Sequence, residues 1–170
     1  MNEPRSNENK TLILMRHAKS DWGDSSLSDH DRPLNQRGQR DAPRMARWLE
    51  EVDAVPDLIL CSSAERTRQT VDLMTPVWDT SPTIAHSQSL YLGTPDSILR
   101  TIVVDGCDAE AVMVVAHNPG TAHLVCQLAG QSLEMPTAAI AIFSVQIPDW
   151  SKLRTSSPIE LIQWTRPKAL

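Results

Sequence analysis

Four residues of this chain have side chains and positions suited to the chemistry of an anion. Arg16 and His17 stand side by side directly after the first strongly apolar segment of the sequence. His117 directly follows a later apolar segment, and Arg66 comes one helical turn after the apolar segment between them. Burying a guanidinium or an imidazole without a partner is costly, so we expect an anionic group near them. The planar fork of arginine suits phosphate oxygens, so the four residues indicate a phosphate site.

Of the four residues, His17 is the candidate nucleophile. A neutral imidazole can attack phosphorus while neighbouring arginines neutralise the charge on the phosphate oxygens. Ser63 and Asn118 occupy predicted N-cap positions, so two helix N-termini are expected to face the same anion. The sequence therefore predicts a site that both binds a phosphoryl group and accepts it.

Alternating strands and helices are needed to bring these residues together. Apolar segments bounded by polar residues indicate strands. Their alternation with helical segments predicts an α/β protein, a three-layer α/β/α sandwich with a mostly parallel central sheet. The carboxyl ends of parallel strands share one edge, so residues that follow these strands should converge there. The predicted strands cover residues 11–15, 56–63, 83–91, 111–116, 138–147 and 159–164, and the last two are compatible with antiparallel pairing.

Helix caps and helical spacing identify the other segments. Asn35 is predicted to cap a helix that runs to about Glu51, although Pro43 fits this helix poorly and favours a later start. Thr94 and the proline after it are typical of another helix start. The remaining helices are predicted over residues 64–74, 94–104 and 117–130.

Length and charge restrict the class of protein. With 170 residues the chain suits one domain with a substantial core, which we predict for residues 11–170. A net charge of -5 argues against a partner that is a nucleic acid or an anionic membrane. No apolar run is long enough to span a bilayer. Residues 1–10 are polar and lack the apolar core of a secretion signal, so we predict a disordered tail.

The cysteines and histidines indicate neither a disulfide framework nor a metal site. The three cysteines show no metal-binding spacing, and an odd number without a signal sequence favours a reducing, cytoplasmic setting. His117 and His123 are not spaced like the paired histidines of a helical zinc site, and no acidic residue lies between them. The arginines near His17 would also repel a cation. We therefore expect no metal and no cofactor.

Three motifs in order resemble those of the histidine phosphatase superfamily, whose fold is phosphoglycerate mutase-like. They are "LMRHAKS", "SSAERTRQT" and "VVAHNPG", each at the end of a predicted strand. The short chain and the segments "DRPLNQRG" and "LYLGTPDSIL" look most like its SixA-like phosphohistidine phosphatase branch. The similarity extends from Thr11 to about Val145.

The resemblance implies a role for each motif residue. His17 would become transiently phosphorylated, and Arg16, Arg66 and His117 would bind the phosphoryl group and its transition state without a metal. The other substrate contacts predicted are Ser20, Asn118 and Tyr91.

The general acid of the larger relatives has no clear counterpart in this sequence. The mutase-like relatives carry a glutamate as general acid, and the acid-phosphatase relatives carry an aspartate directly after the second histidine. This chain has Asn118 at the position of that aspartate. A phosphoramidate leaving group takes a proton from solvent more easily than an alkoxide does, so this departure fits a phosphohistidine substrate. Asp21, Asp24 and Asp96 are the remaining candidates for an acid.

The sequence thus favours a phosphatase that acts on phosphohistidine of a partner protein. Two alternatives stay open, a phosphatase for a small phosphate ester and a noncatalytic phosphate-binding module. The short chain leaves little material for a lid, and an open pocket suits a protein substrate. Arg37 and Arg68 are interpreted as solvated helix residues, and Trp22 as a packing residue under its loop.

Overall fold

A six-stranded sheet with helices on both faces runs through residues 9–170, which are the residues described by the computed structural model. The elements follow the predicted alternation along the chain. The strands are β1 (Asn9–Arg16), β2 (Leu58–Ser62), β3 (Thr83–Ser87), β4 (Ala111–Ala116), β5 (Ile140–Gln146) and β6 (Ile159–Thr165). The helices are α1 (Gln36–Glu51), α2 (Glu65–Met74), α3 (Pro95–Asp105) and α4 (Gly120–Ala129).

The sheet is mostly parallel, as predicted. Its strand order is β3-β2-β4-β1-β5-β6, and the four strands β1 to β4 pair in parallel with one another. Only β5 runs against the others, because it pairs antiparallel with both β1 and β6. The carboxyl ends of β1, β2 and β4 therefore lie side by side at one edge.

Alternating side chains of the central strand belong to the two faces of the sheet. Leu12 and Leu14 pack in a core with α3 and α4, whereas Ile13 and Met15 pack in a second core with α1 and α2. All four side chains are buried. This two-residue period is what a strand covered on both faces requires, and it confirms the three-layer α/β/α architecture.

Strand β1 begins two residues earlier than predicted. Asn9 and Lys10 pair with the end of β5, and the Lys10 Nζ also lies 3.2 Å from the Glu110 Oε1. These contacts explain why two polar residues extend a strand that is otherwise apolar and buried. Residues 1–8 of the predicted tail lie outside the described residues.

Helix α1 begins directly after Asn35, so the later start favoured by Pro43 is wrong. The Asn35 side chain accepts a hydrogen bond of 2.9 Å from the Gly38 N–H and caps the first turn. The helix buries an apolar stripe that includes Met45 and Leu49. A proline inside a helix removes one backbone hydrogen bond. Here the cap and the buried stripe outweigh that loss.

Gly38 holds the first turn of α1 against the backbone that follows His17. A Cβ at this position would lie 2.2 Å from the Lys19 carbonyl oxygen, closer than any real contact. We expect Gly38→Ala to lower the free energy of unfolding by about 1–3 kcal/mol, the usual cost of overpacking, despite the better helix propensity of alanine. Urea unfolding would measure this loss. Gly23→Ala is the control, since its nearest atom is the flexible Asp21 Oδ1 at 3.0 Å, and equal losses would contradict the prediction.

Candidate active site

The residues predicted to converge do so in a cavity of about 290 Å³ at the carboxyl edge of the sheet. The imidazole centroids of His17 and His117 lie 5.2 Å apart, so the ends of β1 and β4 face one point. Leu92, rather than its neighbour Tyr91, lines the cavity. The predicted site residues that line it are Arg16, His17, Ser20, Arg66, His117 and Asn118.

The hydrogen bonds of His17 define which of its ring nitrogens carries the proton and which carries the lone pair. The His17 Nδ1 lies 2.7 Å from the Ala18 carbonyl oxygen, which can only accept, so Nδ1 carries the proton. The Nε2 accepts a hydrogen bond of 3.3 Å from the Arg66 Nε. Burial, assisted by the positive charges of Arg66 and Arg16, lowers the pKa of His17 to about 3. His17 is therefore a neutral imidazole with its lone pair at Nε2, the form a nucleophile needs.

His117 is arranged as a hydrogen-bond donor toward the cavity. Its Nε2 lies 2.7 Å from the Ser62 Oγ, and that oxygen also accepts a bond of 3.3 Å from the Ala64 N–H. The hydroxyl hydrogen of Ser62 can then go to the His117 Nε2, which leaves the proton of the ring on Nδ1. Burial, with the nearby positive charge of Arg66, lowers the pKa of His117 to about 3.

Three buried polar atoms in the cavity have no partner. Among the described residues, the buried side-chain nitrogen and oxygen atoms without a hydrogen bond are the Arg16 Nε, the His117 Nδ1 and the Asn118 Oδ1. Buried polar groups are almost always satisfied, so unpartnered atoms in one cavity point to a ligand. Two of the three groups can donate to the oxygens of an anion.

The Arg66 side chain is oriented by an aspartate that the sequence analysis missed. Its Nη1 and Nη2 donate to the Asp29 carbonyl oxygen at 2.7 Å and to the Asp29 Oδ2 at 3.1 Å. The Tyr91 hydroxyl donates to the same Oδ2 at 2.5 Å, so Tyr91 lies behind Asp29. The hydrogen bond from Tyr91, with those from Arg32 and Arg66, holds the pKa of Asp29 well below its usual range.

Arg32 is a second cavity residue that the sequence analysis missed. Its guanidinium donates to the Asp29 Oδ1 at 3.0 Å and 3.2 Å and to the Ser20 Oγ at 2.8 Å. The centroid of the Trp22 ring lies 3.5 Å from the Arg32 Cζ. Trp22 is 71% exposed, so its interpretation as a packing residue under its loop is wrong. The three-residue spacing of Asp29 and Arg32 suggests an ion pair, but it does not reveal that the arginine is buried.

Backbone groups before β5 complete the cavity wall. The Met135 carbonyl oxygen accepts bonds from the Arg16 Nη1 at 3.3 Å and the Asn118 Nδ2 at 2.8 Å. The Ala138 N–H donates to the His17 carbonyl oxygen at 2.9 Å. These contacts use main-chain atoms, which every residue type has, so no sequence signal could have found them.

Several other predicted residues lie away from the cavity. The carboxylates of Asp21 and Asp24 accept bonds from nearby exposed residues, and Asp96 lies exposed in the first turn of α3. The caps predicted at Ser63 and Asn118 are wrong, whereas those predicted at Asn35 and Thr94 are confirmed. The N-caps of α2 and α4 are Ala64 and Pro119, while the side chains of Ser63 and Asn118 bond to His30 and to a backbone carbonyl.

The electrostatic balance of the cavity favours an anion. Its lining includes the cationic side chains of Arg16, Lys19, Arg32 and Arg66, against the single carboxylate of Asp29. Across residues 9–170, no group of three or more histidine, cysteine, aspartate or glutamate side chains is placed to hold a metal ion. No helix in the same range is long and apolar enough to cross a membrane.

Acidification is expected to destabilise the fold through His17 and His117. Their pKa values of about 3 in the folded protein lie below the ordinary value of 6.5. As the pH falls below 6.5, the unfolded chain binds protons that the folded chain does not, so the free energy of unfolding falls by up to about 1.4 kcal/mol per pH unit per histidine. Urea unfolding at about pH 7, 6 and 5 would measure this slope. His17→Gln should reduce it, while the exposed His86→Gln should not; equal slopes in all three proteins would contradict the prediction.

Comparison with known proteins agrees with this geometry. The family model described as histidine phosphatase superfamily (branch 1) matches residues 12–87. An uncharacterised chloroplastic protein of Arabidopsis thaliana is 32% identical over 158 residues, which are 88% of this chain and 72% of that protein.

Solved structures of SixA proteins have the same fold. The SixA protein of Nakamurella multipartitia, assigned as a phosphohistidine phosphatase, superposes with a TM-score of 0.82 and 28% identity over 94% of this chain and 96% of that one. The corresponding protein of Agrobacterium tumefaciens has a TM-score of 0.79 and 25% identity, with coverage of 93% and 98%.

Proposed function

Because the chain belongs to the histidine phosphatase superfamily, in its SixA-like branch, we propose that it removes phosphate from phosphohistidine on a partner protein. Membership of this superfamily and the similarity to the SixA structures support phosphatase activity. The observation that carries the proposal is the neutral His17, whose Nε2 lone pair lies in a cavity with four cationic side chains.

In the first step, the phosphoryl group of the substrate moves to the enzyme. The His17 Nε2 forms a bond to phosphorus while the bond from phosphorus to the substrate nitrogen breaks. Arg66, whose Nε lies 3.3 Å from the His17 Nε2, can turn to donate to a phosphoryl oxygen as the nucleophile attacks. Arg16 and the His117 Nδ1 supply further donors to the charge that builds up on the oxygens.

The leaving group determines whether a positioned acid is needed. Asp29 is the one carboxylate in the cavity lining among the residues described, and its lowered pKa keeps it ionised. It therefore orients Arg66 instead of donating a proton. A departing imidazole takes its proton from solvent, which suits a phosphoramidate substrate better than an alkyl phosphate.

In the second step, water attacks the phosphorus of phosphorylated His17. The bond from phosphorus to Nε2 breaks, inorganic phosphate leaves, and His17 returns to its neutral form. The Nδ1 hydrogen bond to the Ala18 carbonyl oxygen, 2.7 Å long, holds the ring in one orientation through both steps. The cationic side chains supply the positive charge, so we propose that the reaction needs no metal ion.

A small cavity favours a protein substrate over a large metabolite. About 290 Å³ is near the lower end for ligand pockets and accommodates a phosphoryl group and the ring that carries it. The rest of the substrate would lie on the surface around the cavity. The SixA structures assigned as phosphohistidine phosphatases support the same substrate class. We also propose a cytoplasmic setting and a single domain, in keeping with three free cysteines and one continuous sheet.

Phosphate release from two substrate classes, in EDTA throughout, tests the proposal. One is a histidine-phosphorylated phosphotransfer protein, and the other is a panel of small phosphate esters. We expect fast release from the protein and slow release from the esters. Fast release from esters alone would contradict the phosphohistidine assignment. Loss of release in EDTA, restored by added metal, would contradict the metal-free mechanism.

A further inference from the structure

A second, larger groove of about 490 Å³ lies beside the catalytic cavity and is mainly basic. Three of its arginines come from the exposed side of α1, at intervals of three and four residues that place them along one ridge. Two further basic residues come from the segment after β6. The basic residues of this groove are Arg37, Arg40, Arg44, Arg166 and Lys168.

The groove is continuous with the catalytic cavity. Thr137 lines both, and its Oγ1 accepts a hydrogen bond of 3.2 Å from the Arg37 Nη2. The next residue, Ala138, donates its N–H to the His17 carbonyl oxygen. A substrate with its phosphoryl group at His17 would therefore extend naturally past Thr137 into the groove.

Basic residues are concentrated here although the chain is acidic. The groove and the cavity together hold nine of the chain's 16 lysines and arginines, five in the groove and four in the cavity. The net charge of the whole chain is -5. Such segregation of charge attracts an oppositely charged partner to one face of the molecule.

Few carboxylates neutralise the groove from within. Asp41 lies 3.9 Å from Arg37 and 3.6 Å from Arg44, and Glu134 lies 3.6 Å from Arg166. The other two basic side chains of the groove, those of Arg40 and Lys168, form no salt bridge within the part of the chain that the structure describes. These two exposed cations have their charge available for a partner.

We propose that this basic groove binds an acidic segment of the partner protein whose phosphohistidine enters the cavity. The inference rests on the proposed function and names the part of the partner protein that the enzyme recognises. Residues 37 to 44 span about 10 Å along α1, which suits a chain with several carboxylates better than one small anion. None of the groove-lining residues in the described range is aromatic, so the groove lacks the stacking surfaces on which single-stranded nucleic acids bind.

Two synthetic peptides, each phosphorylated on one histidine, test the proposal. They share one sequence except that glutamates flank the phosphohistidine in the first peptide and glutamines in the second. We expect the wild-type protein to hydrolyse the glutamate peptide with a kcat/KM about tenfold higher than that for the glutamine peptide, because its KM is lower. This preference should be lost at high salt, which screens the charges.

A double charge reversal identifies the groove as the cause. Arg40→Glu with Lys168→Glu should abolish the preference and leave hydrolysis of phosphoramidate, which has the same P–N bond and no flanking chain, unchanged. The matched control is Arg100→Glu with Lys152→Glu, exposed residues outside both cavities, which changes the net charge equally and should keep the preference.

The outcomes separate this inference from the proposed function. Equal hydrolysis of the two peptides by the wild-type protein would overturn the proposed role of the groove and leave the proposed function intact. A preference for the glutamate peptide that the groove variant keeps would do the same. A preference lost equally in the control variant would also overturn it, since net charge would then be the cause. Hydrolysis of small phosphate esters but of neither peptide would overturn the proposed function, and the groove with it.

Discussion

His17→Ala is expected to abolish turnover, with kcat lowered by about 10⁴-fold or more, the usual scale for loss of a catalytic nucleophile. Alanine removes the Nε2 that forms the bond to phosphorus, and the other imidazole of the cavity, that of His117, has its proton rather than its lone pair on the unpartnered Nδ1. His117 cannot replace it, because its Nε2 is already bonded to the Ser62 Oγ at 2.7 Å. The cationic side chains remain, so inorganic phosphate should still bind to the variant.

Two measurements on the His17→Ala variant separate catalysis from folding. Phosphate release measures turnover, and rapid quenching with a radioactive phosphoryl donor measures the phosphorylated enzyme, which should form in the wild-type protein but not in His17→Ala. His86→Ala is the matched control, since this histidine is exposed on β3 and should be dispensable. Near wild-type turnover in His17→Ala, or a phosphorylated enzyme in that variant, would contradict the mechanism.

Arg66→Ala is expected to give the next largest loss, about 10³-fold in kcat. Arg66 is 2% exposed and its Nε lies 3.3 Å from the His17 Nε2, so its guanidinium is close enough to donate to the oxygens of a phosphoryl group that His17 attacks. Removing one preorganised donor to a developing charge costs about 10²–10³-fold in other enzymes, and Arg66 is also a charged, forked donor. Asp29 keeps its bonds to Arg32 and Tyr91, so the fold should tolerate the change.

Arg66→Lys distinguishes the charge of the side chain from its shape. Lysine keeps the positive charge but cannot contact the Asp29 carbonyl, the Asp29 carboxylate and a phosphoryl oxygen together, so we expect about a 10–100-fold loss in kcat. Arg68→Ala is the control, because Arg68 lies exposed two residues further along α2. Steady-state kinetics on the phosphotransfer protein would measure all three variants. Equal activity of Arg66→Ala and Arg68→Ala would contradict the proposed role of Arg66.

The secondary structure could be predicted because its signals are local. The strands and helices lie where alternating polarity, caps and prolines indicate them, as in β4, which coincides with the predicted 111–116. Two boundaries were wrong near a turn of the chain: the predicted strand 83–91 ends at Ser87, since Gln88–Leu90 forms a short 3-10 helix, and the helix predicted from residue 117 begins at Gly120. Two others depend on distant partners. Asn9 and Lys10 join β1 because β5 supplies their hydrogen bonds, and α1 retains Pro43 because its apolar stripe packs on the sheet.

The sequence by itself determined the core of the candidate site. Arg16 ends β1, and His17, Arg66 and His117 follow strands whose carboxyl ends share one edge, so the order of strands and helices along the chain was enough to predict their convergence. This is why motifs far apart in the chain could be combined into one prediction.

Only the tertiary structure decided the protonation of the two imidazoles, the orientation of Arg66 and the position of the basic groove. These depend on which backbone carbonyl or carboxylate a loop brings within hydrogen-bond distance, as Asp29 is brought to Arg66 across 37 residues of chain. The groove likewise joins α1 to the segment that follows β6, so the sequence analysis interpreted Arg37 as a solvated helix residue and did not single out Arg40. Contacts between loops and chain segments far apart in sequence leave no periodic pattern, and folding alone brings them together.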